Sequence, residues 1–374
     1  MRLLLFGTYD AAAHPRVAIL RDGLAGHGVS VQECNVPLGL STAARVSMLR
    51  RPWTLARLAV RLAWCWATLG VRAARYRRDD AWPDAVLVGY LGHFDVLLAR
   101  RLFPHVPVVL DHLVGASDTA ADRGVSTGLR QRLLRRLDEA ALGSADVVVV
   151  DTDEHLAALP DRHRGRALVV PVGAPTSWYA ASAAAGDGAD KPLRAVFFGL
   201  FTPLQGAPVI GAALAALADD DVDVTMVGSG QDHDETRSLA AANHRVTWVD
   251  WTAPDQLPTL VARHDVCLGI FGTGPKAQRV VPNKVFQGAA AGCALVTSDT
   301  APQRRLLGDA AVLVPPGDAG ALAAALRDLA GDRDRLHAAR EASAGLARSS
   351  FTPAAVTAPL LTRLHAVVPR RLPT

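Results

Sequence analysis

Cysteine is scarce in this chain of 374 residues, and what there is rules out two architectures. Cys34, Cys65, Cys267 and Cys293 are scattered and form no CxxC pair, so neither a zinc site nor a disulfide frame is encoded and reduced, mostly buried thiols are expected. Long apolar runs are missing too. No stretch reaches about 18 uncharged apolar residues, so no transmembrane helix is predicted. The opening MRLLLF is too short for a signal peptide and runs into GTYD, a strand-to-loop turn, which makes a cytoplasmic location the expectation. Nor does one sign of charge dominate, since 40 Lys+Arg against 36 Asp+Glu leave +4. That balance excludes the strongly basic footprint of a nucleic-acid-binding protein, while remaining compatible with an anionic substrate or membrane surface. With 50% apolar and 20% charged residues the chain is globular, and it is long enough for two domains.

Short Val- and Leu-rich runs alternate with longer helical patterns. In the first half, strands are predicted at 2–6, 29–34, 85–88, 106–110, 147–151 and 168–171, with helices at 16–24 and 129–142 among the connections. The runs are near-continuous in apolar residues rather than alternating, which suits a parallel sheet covered on both faces. A break follows at 177–192, SWYAASAAAGDGADKP, whose Ala, Gly and Asp content reads as a linker. Strands then resume at 195–198, 222–227, 246–249, 266–270, 294–297 and 311–314. The predicted class is α/β, with an N-terminal Rossmann-like domain 1–176, a linker 177–192 and a C-terminal Rossmann-like domain 193–350. A last segment, 351–374, is a helix returning to the N-terminal domain. Ligands of such sheets bind at the carboxyl ends of the strands, so the loops that follow them are the place to look.

One of those loops carries an electrostatic conflict. In RVVPNKVFQGAAAGCALVTS (279–298), Pro282 is placed as a first helical residue and Gly292 marks the far end. Lys284 then falls in the first turn, where the helix dipole disfavours a cation by up to about 1 kcal/mol. A bound anion resolves the conflict; a solvent-facing lysine at an ordinary helix start is the plainer alternative. The preceding FGTGPKAQR adds Lys276, Arg279 and the backbone N–H groups of Gly272 and Gly274 to a prospective anion site.

Taken in order, FFGLFTPLQG (197–206), VGSGQ (227–231) and PNKVFQGAAAGCALVTS (282–298) resemble the C-terminal domain of retaining glycosyltransferases with the GT-B fold, in the large GT4 group. The resemblance is looser in the first half, through GTYD and through VPVGAP (170–175). It implies two Rossmann-like domains facing a central cleft, with a nucleotide-diphosphate sugar on the C-terminal domain and a hydroxyl acceptor on the other. Glycan, lipid-linked and natural-product acceptors all fit it. It further implies no cofactor and no metal, because basic side chains and a helix dipole take the metal's place. On this resemblance Lys276, Arg279 and Lys284 stabilise the leaving diphosphate and His93 orients the sugar. Gly199, Gln205, Gly206, Gly274, Pro282 and Asn283 line the donor site, Gly228 and Gly230 give room for the base, and Gln287 positions the ribose.

Four charged marks of the family are absent. It commonly has an Arg after the glycine equivalent to Gly199, a Lys before that equivalent to Gly206, and two Glu further on; here the four positions are Leu200, Gln205, Arg279 and Gln287. Gln287 can accept from one ribose hydroxyl and donate to the other, without charge assistance. A catalytically silent partner of another transferase would also explain these losses. A dinucleotide oxidoreductase is the other alternative, since both halves are Rossmann-like, but neither has a full GxGxxG followed by an acid about 20 residues on.

On the acceptor side, the loop FGTYDAAAHPR offers Thr8, Tyr9, His14 and Arg16, and Asp111-His112 follow the strand at 106–110. A turn capped by Asp10 and a loop histidine without a role are the plain alternatives. Segment 56–78, ARLAVRLAWCWATLGVRAARYRR, combines a long apolar surface, Trp64, Trp66 and a ladder of arginines. It reads either as an interfacial helix making peripheral contact with an anionic membrane, or as an amphipathic helix packed on the sheet with snorkelling arginines. The acidic clusters DTDEH (151–155) and QDHDE (231–235) are expected to cap helices rather than bind metal.

Overall fold

A computed structural model describes residues 1–10, 15–39, 52–78, 82–113, 115, 128–183 and 192–368. The chain divides into two compact units, Met1–Pro171 with Val356–Thr374, and Val172–Ala355.

In the first unit the described residues form β1 (Arg2–Gly7), β2 (Ser30–Asn35), β3 (Ala85–Val88), β4 (Val108–Asp111), β5 (Val147–Val150) and β6 (Ala167–Val169). They make one parallel sheet in the order β2-β1-β3-β4-β5-β6. Alternate residues of β1, β3, β4 and β5 enter two separate cores. Leu4, Phe6, Val86, Val88, Val148 and Val150 lie in one, while Leu3, Leu5, Ala85, Leu87, Val147 and Val149 lie in the other. Burial on both faces is why these four strands read as nearly unbroken apolar runs, and each large apolar side chain so buried contributes roughly 1.5–3 kcal/mol, whereas the edge strand β2 is mostly exposed and mixed in sequence. The chain leaves β1 toward β2 on one side and returns to β3 on the other, which opens a switch point between the loops after β1 and β3. The helix Pro353–Val367 supplies Leu360 and Leu364, one turn apart, to this unit's second core.

The second unit contains β7 (Leu193–Phe198), β8 (Val222–Val227), β9 (Val246–Val249), β10 (Val266–Leu268), β11 (Ala294–Ser298) and β12 (Val312–Val314). The order β12-β11-β10-β7-β8-β9 is again parallel, with its switch point between β7 and β10. Phe197, Met226 and Leu268 fill one core; Phe198, Cys267 and Leu295 fill the opposite one.

The segment expected as a linker begins inside this unit. Thr176–Ala183 is a helix whose buried Trp178 stacks on Phe198 with ring centroids 5.5 Å apart. Alanine-rich composition suggests a linker, but Trp178 and Tyr179, whose hydroxyl donates to the Ala347 carbonyl at 3.1 Å, fasten these two helical turns to the core. The remaining residues 184–191 of that expectation lie outside the described residues.

A buried ion pair ties the ends of the first unit together. The Arg16 guanidinium donates to Asp111 Oδ1 at 3.2 Å, to the Pro171 carbonyl at 2.5 Å and to the Val170 carbonyl at 2.9 Å. Both side chains are buried. Burial pushes the Asp111 carboxyl up from its usual range, and Arg16 pulls it back down. Arg16→Met should therefore cost about 3–5 kcal/mol by stranding a buried carboxylate, as read in urea unfolding. The double variant Arg16→Met/Asp111→Leu should recover much of the loss, whereas simple additivity of the two single costs would disprove the coupling.

Candidate functional site

Three connections meet at the switch point of the second unit: the loop after β7, the loop after β8 and the long loop after β10. They are pressed together so closely that side chains cannot intervene. Gly206 has φ +65°, and a Cβ there would lie 2.4 Å from the Gly272 nitrogen. A Cβ on Gly228, with φ +124°, would lie 2.0 Å from the Gly199 carbonyl oxygen. Backbone bonds seal the contact: Gly199 N–H donates to the Val227 carbonyl at 3.0 Å, and Phe271 N–H to the Gln205 carbonyl at 2.9 Å. Gly228 and Gly230 were expected to leave room for a base. Their missing side chains instead admit the backbone of residues 199–201, because a Gly230 Cβ would meet the Phe201 carbonyl oxygen at 2.3 Å.

Lys284 stands at the centre of this assembly. Pro282, with ψ +150°, caps the helix Asn283–Ala290 rather than starting it, so Lys284 is the second helical residue. Its side chain does not face solvent; only 5% of the residue is exposed. The Nζ donates to Gln205 Oε1 at 2.6 Å and sits 3.5 Å from the centroid of the Phe197 ring. A Cβ on Gly199 would come within 3.4 Å of the same nitrogen, so the amine lies directly beneath the exposed start of the loop after β7. Burial drags its pKa down to about 7. The cation–π contact and one amide oxygen offset only part of the lost hydration. Gln205, which stands where the resembled family has a lysine, is thereby the partner of a lysine that arrives from a different element.

The other donor candidates are spread along the same rim. Lys276 and Gln287 are half-buried, Arg279 ends the short 3₁₀ turn Ala277–Arg279, and Gly274 and Asn283 are exposed. Beside them is a cavity of about 290 Å³ lined by Pro203, Gly206, Asp232, Glu235, Phe271 and Gly272, among others. Two exposed apolar side chains went unread as site residues in the sequence. Leu200 occupies the position of the family's arginine, and Trp251, 73% exposed, follows β9 at the carboxyl edge of the sheet. A lone tryptophan just past the strand run VTWV was the available signal.

In the first unit, the described acceptor candidates turn inward. The Asp95 carboxylate accepts from Thr8 N–H at 2.7 Å, from Thr8 Oγ1 at 2.8 Å and from Trp66 Nε1 at 3.0 Å. Tyr9 is buried and its hydroxyl donates to Glu33 Oε2 at 3.0 Å; burial and the Glu33 charge push its pKa far up. Arg16 and Asp111 are committed to each other. His93 is buried as well, its Nε2 3.5 Å from Asp138 Oδ1 and its ring edge-on to His112 at 5.2 Å. These side chains build a rigid top to the sheet rather than lining an open surface. His14 lies outside the described residues. Of the acidic clusters, DTDEH caps its helix through the Thr152 hydroxyl, which accepts from His155 N–H at 3.2 Å, and not through an aspartate. Asp232 makes no side-chain cap either.

Residues 192–332 match the family model described as "Glycosyl transferases group 1". No curated protein matches the chain significantly. Among solved structures, sucrose-phosphate synthase from Thermosynechococcus elongatus aligns over 98% of this chain and 99% of its own, with TM-score 0.69 and 16% identity. The structure of HepE from Anabaena in complex with UDP aligns over 98% and 99%, with TM-score 0.66 and 13% identity. A UDP-forming trehalose-phosphate synthase from Burkholderia vietnamiensis gives 98%, 97%, 0.66 and 13%. The fold is GT-B. Together with the match over the second unit, it supports a GT-B glycosyltransferase.

A lysine this desolvated costs stability. Between pH 7 and 10.5 the unfolded chain holds the Lys284 proton and the folded chain does not, so this residue makes stability rise with pH across that window. Lys284→Met is expected to be more stable than the wild type near pH 7, with the advantage shrinking toward about pH 10. Urea midpoints at the two pH values check this; an advantage independent of pH would show that the amine is not desolvated.

Proposed function

We propose that this protein is a retaining, metal-independent glycosyltransferase of the GT4 kind, moving a sugar from a nucleotide-diphosphate sugar to a hydroxyl acceptor. The observation that carries the proposal is the Lys284 amine, buried beneath Gly199 at the switch point of a unit that matches a glycosyltransferase family model. Only three lysines occur among the 40 Lys+Arg residues, and Lys276 and Lys284 are two of them. A compact ammonium whose pKa moves with burial suits a site that must be neutral when empty and cationic when an anion arrives.

The diphosphate then lies over the loop after β7, with Lys284 below it and Lys276 and Arg279 contributed by the loop after β10. The exposed N–H groups of that loop and of the helix start at Asn283 supply fixed dipoles. Phe198, Val227 and Val249 are level with one another on adjacent strands, so Trp251 stands two strands, about 10 Å, across the sheet edge from that loop. A nucleoside diphosphate spans such a distance, which sets its base against Trp251 and its ribose near Gln287. HepE was solved with UDP and with UDP-glucose, which supports a uridine nucleotide as the first donor to try.

For the transfer itself, the bond from the anomeric carbon to the diphosphate oxygen breaks and its electron pair leaves with the phosphate. The acceptor oxygen bonds to the anomeric carbon on the same face, and the departing phosphate oxygen takes the acceptor proton. Charge collects on the diphosphate as the bond breaks, so the cations stabilise the transition state more than the bound donor. This route needs no protein nucleophile.

Calorimetry with UDP, GDP, dTDP and ADP tests the reading. One diphosphate should bind, and Lys284→Ala should weaken it by about 1.5–3 kcal/mol, the scale of a hydrogen bond to a charged group. Trp251→Ala should cost about 1–3 kcal/mol, the scale of base stacking on an aromatic ring. Because Lys284 must be protonated to bind, affinity should fall as pH rises above about 7, with proton uptake visible as a dependence on buffer ionisation enthalpy. Failure of all four to bind at millimolar concentration would leave the silent-partner reading in its place.

A further inference from the structure

The helix Pro52–Arg78 is apolar on two sides, and the fold of the first unit uses only one of them. Its inward stripe, Cys65, Leu69, Ala73 and Tyr76, is buried in the core. Trp66 on the same side donates to the buried Asp95. The opposite stripe, Val60, Trp64 and Val71, is 71%, 63% and 77% exposed. Ala56, Ala63 and Ala67 are also exposed and continue it at helical spacing. At its amino-terminal end lies a shallow cavity of about 500 Å³ bordered by Ala56, Arg57, Val60, Arg61 and Trp64. Snorkelling arginines on a core helix would explain the charges, but not a tryptophan and two valines held out in water.

We infer that this outer face is a docking surface for an anionic lipid bilayer. The helix contains six arginines and neither Asp nor Glu. Arg72 donates to the Asn35 carbonyl at 2.7 Å, which fixes that end of the basic flank to the unit, while Arg75 donates to the Tyr76 hydroxyl of the same helix at 2.8 Å. Arg57 and Arg61 are exposed beside the apolar stripe and have no ion-pair partner among the described residues. An apolar face with an indole on it, flanked by arginines with no balancing acid, matches the headgroup layer of a membrane that carries negative lipids. A second copy of the chain does not fit the same face, because it would set arginines against arginines. The helix spans 27 residues, but no helix among the described residues is long and apolar enough to cross a membrane, so it would lie along the surface. The inference stands apart from the donor chemistry, and its measurement is separate from nucleotide binding.

The test is flotation of the full chain with vesicles of phosphatidylcholine alone and of phosphatidylcholine mixed with phosphatidylglycerol. Binding is expected to the mixed vesicles only and to be lost in high salt. Arg57→Glu/Arg61→Glu should weaken it at least about thirtyfold, since each arginine at such a surface contributes roughly a factor of five. Trp64→Ala should weaken it severalfold, and both variants should unfold at the wild-type urea midpoint because the residues are exposed. Absence of binding to either vesicle, equal binding to both, or binding that neither variant disturbs would overturn the inference. So would concentration-dependent dimerisation that Trp64→Ala abolishes while vesicles go unbound.

Discussion

The second unit is organised around one desolvated amine. Lys284 gives up its hydration to sit against Phe197 and Gln205, and the surrounding structure holds it there. Gly199 leaves the space above it open, Gly206 and Gly228 let the neighbouring loops close in, and the parallel sheet fixes the height of all three loops through its hydrogen bonds. Such an arrangement works against stability. Folding tolerates it because most of the unit is a two-sided apolar core whose contribution is far larger than the penalty of one buried amine. The amine is held in place before a ligand comes, and an arriving anion would favour its charged form.

The first unit shows the opposite disposition of polarity. Its charged and hydroxyl groups at the carboxyl ends of the strands are satisfied by one another: Asp95 with Thr8 and Trp66, Arg16 with Asp111, Tyr9 with Glu33. A network of this kind makes the sheet end stiff, and it also pins the helix Pro52–Arg78 through Trp66. The same residue pair thus connects the strand top to the helix whose other side remains exposed.

Of the four positions where the resembled family carries a donor-site charge, one has a local counterpart in this structure. At Gln205 the sequence departs from the resembled family's lysine, yet the amide oxygen accepts from the Lys284 amine at 2.6 Å, so a basic group stands at that point, delivered from the helix Asn283–Ala290. Leu200 has no such compensation; nothing in the structure explains the replacement of an arginine there by an exposed leucine.

The sequence by itself determined the class of fold. Uninterrupted β-branched runs such as VVVV at 147–150 favour strands buried on both faces, and all twelve predicted runs appear among the described residues within two residues of their expected ends. Lys284 was legible as a misfit, because a cation in a first helical turn violates a local electrostatic rule that needs no three-dimensional information. Its burial and its partner were not, since Gln205 lies 79 positions away and only the adjacency of β7 and β10 brings them together. The burial of the acceptor candidates is not legible for the same reason. Thr8, Tyr9, Arg16 and Asp111 look available in a loop, and whether such groups face water or each other depends on partners between 24 and 155 positions distant. Local chemistry sets which residues can carry charge and which runs must be buried; long-range packing decides which of those charges are spent inside the fold and which are left for a ligand.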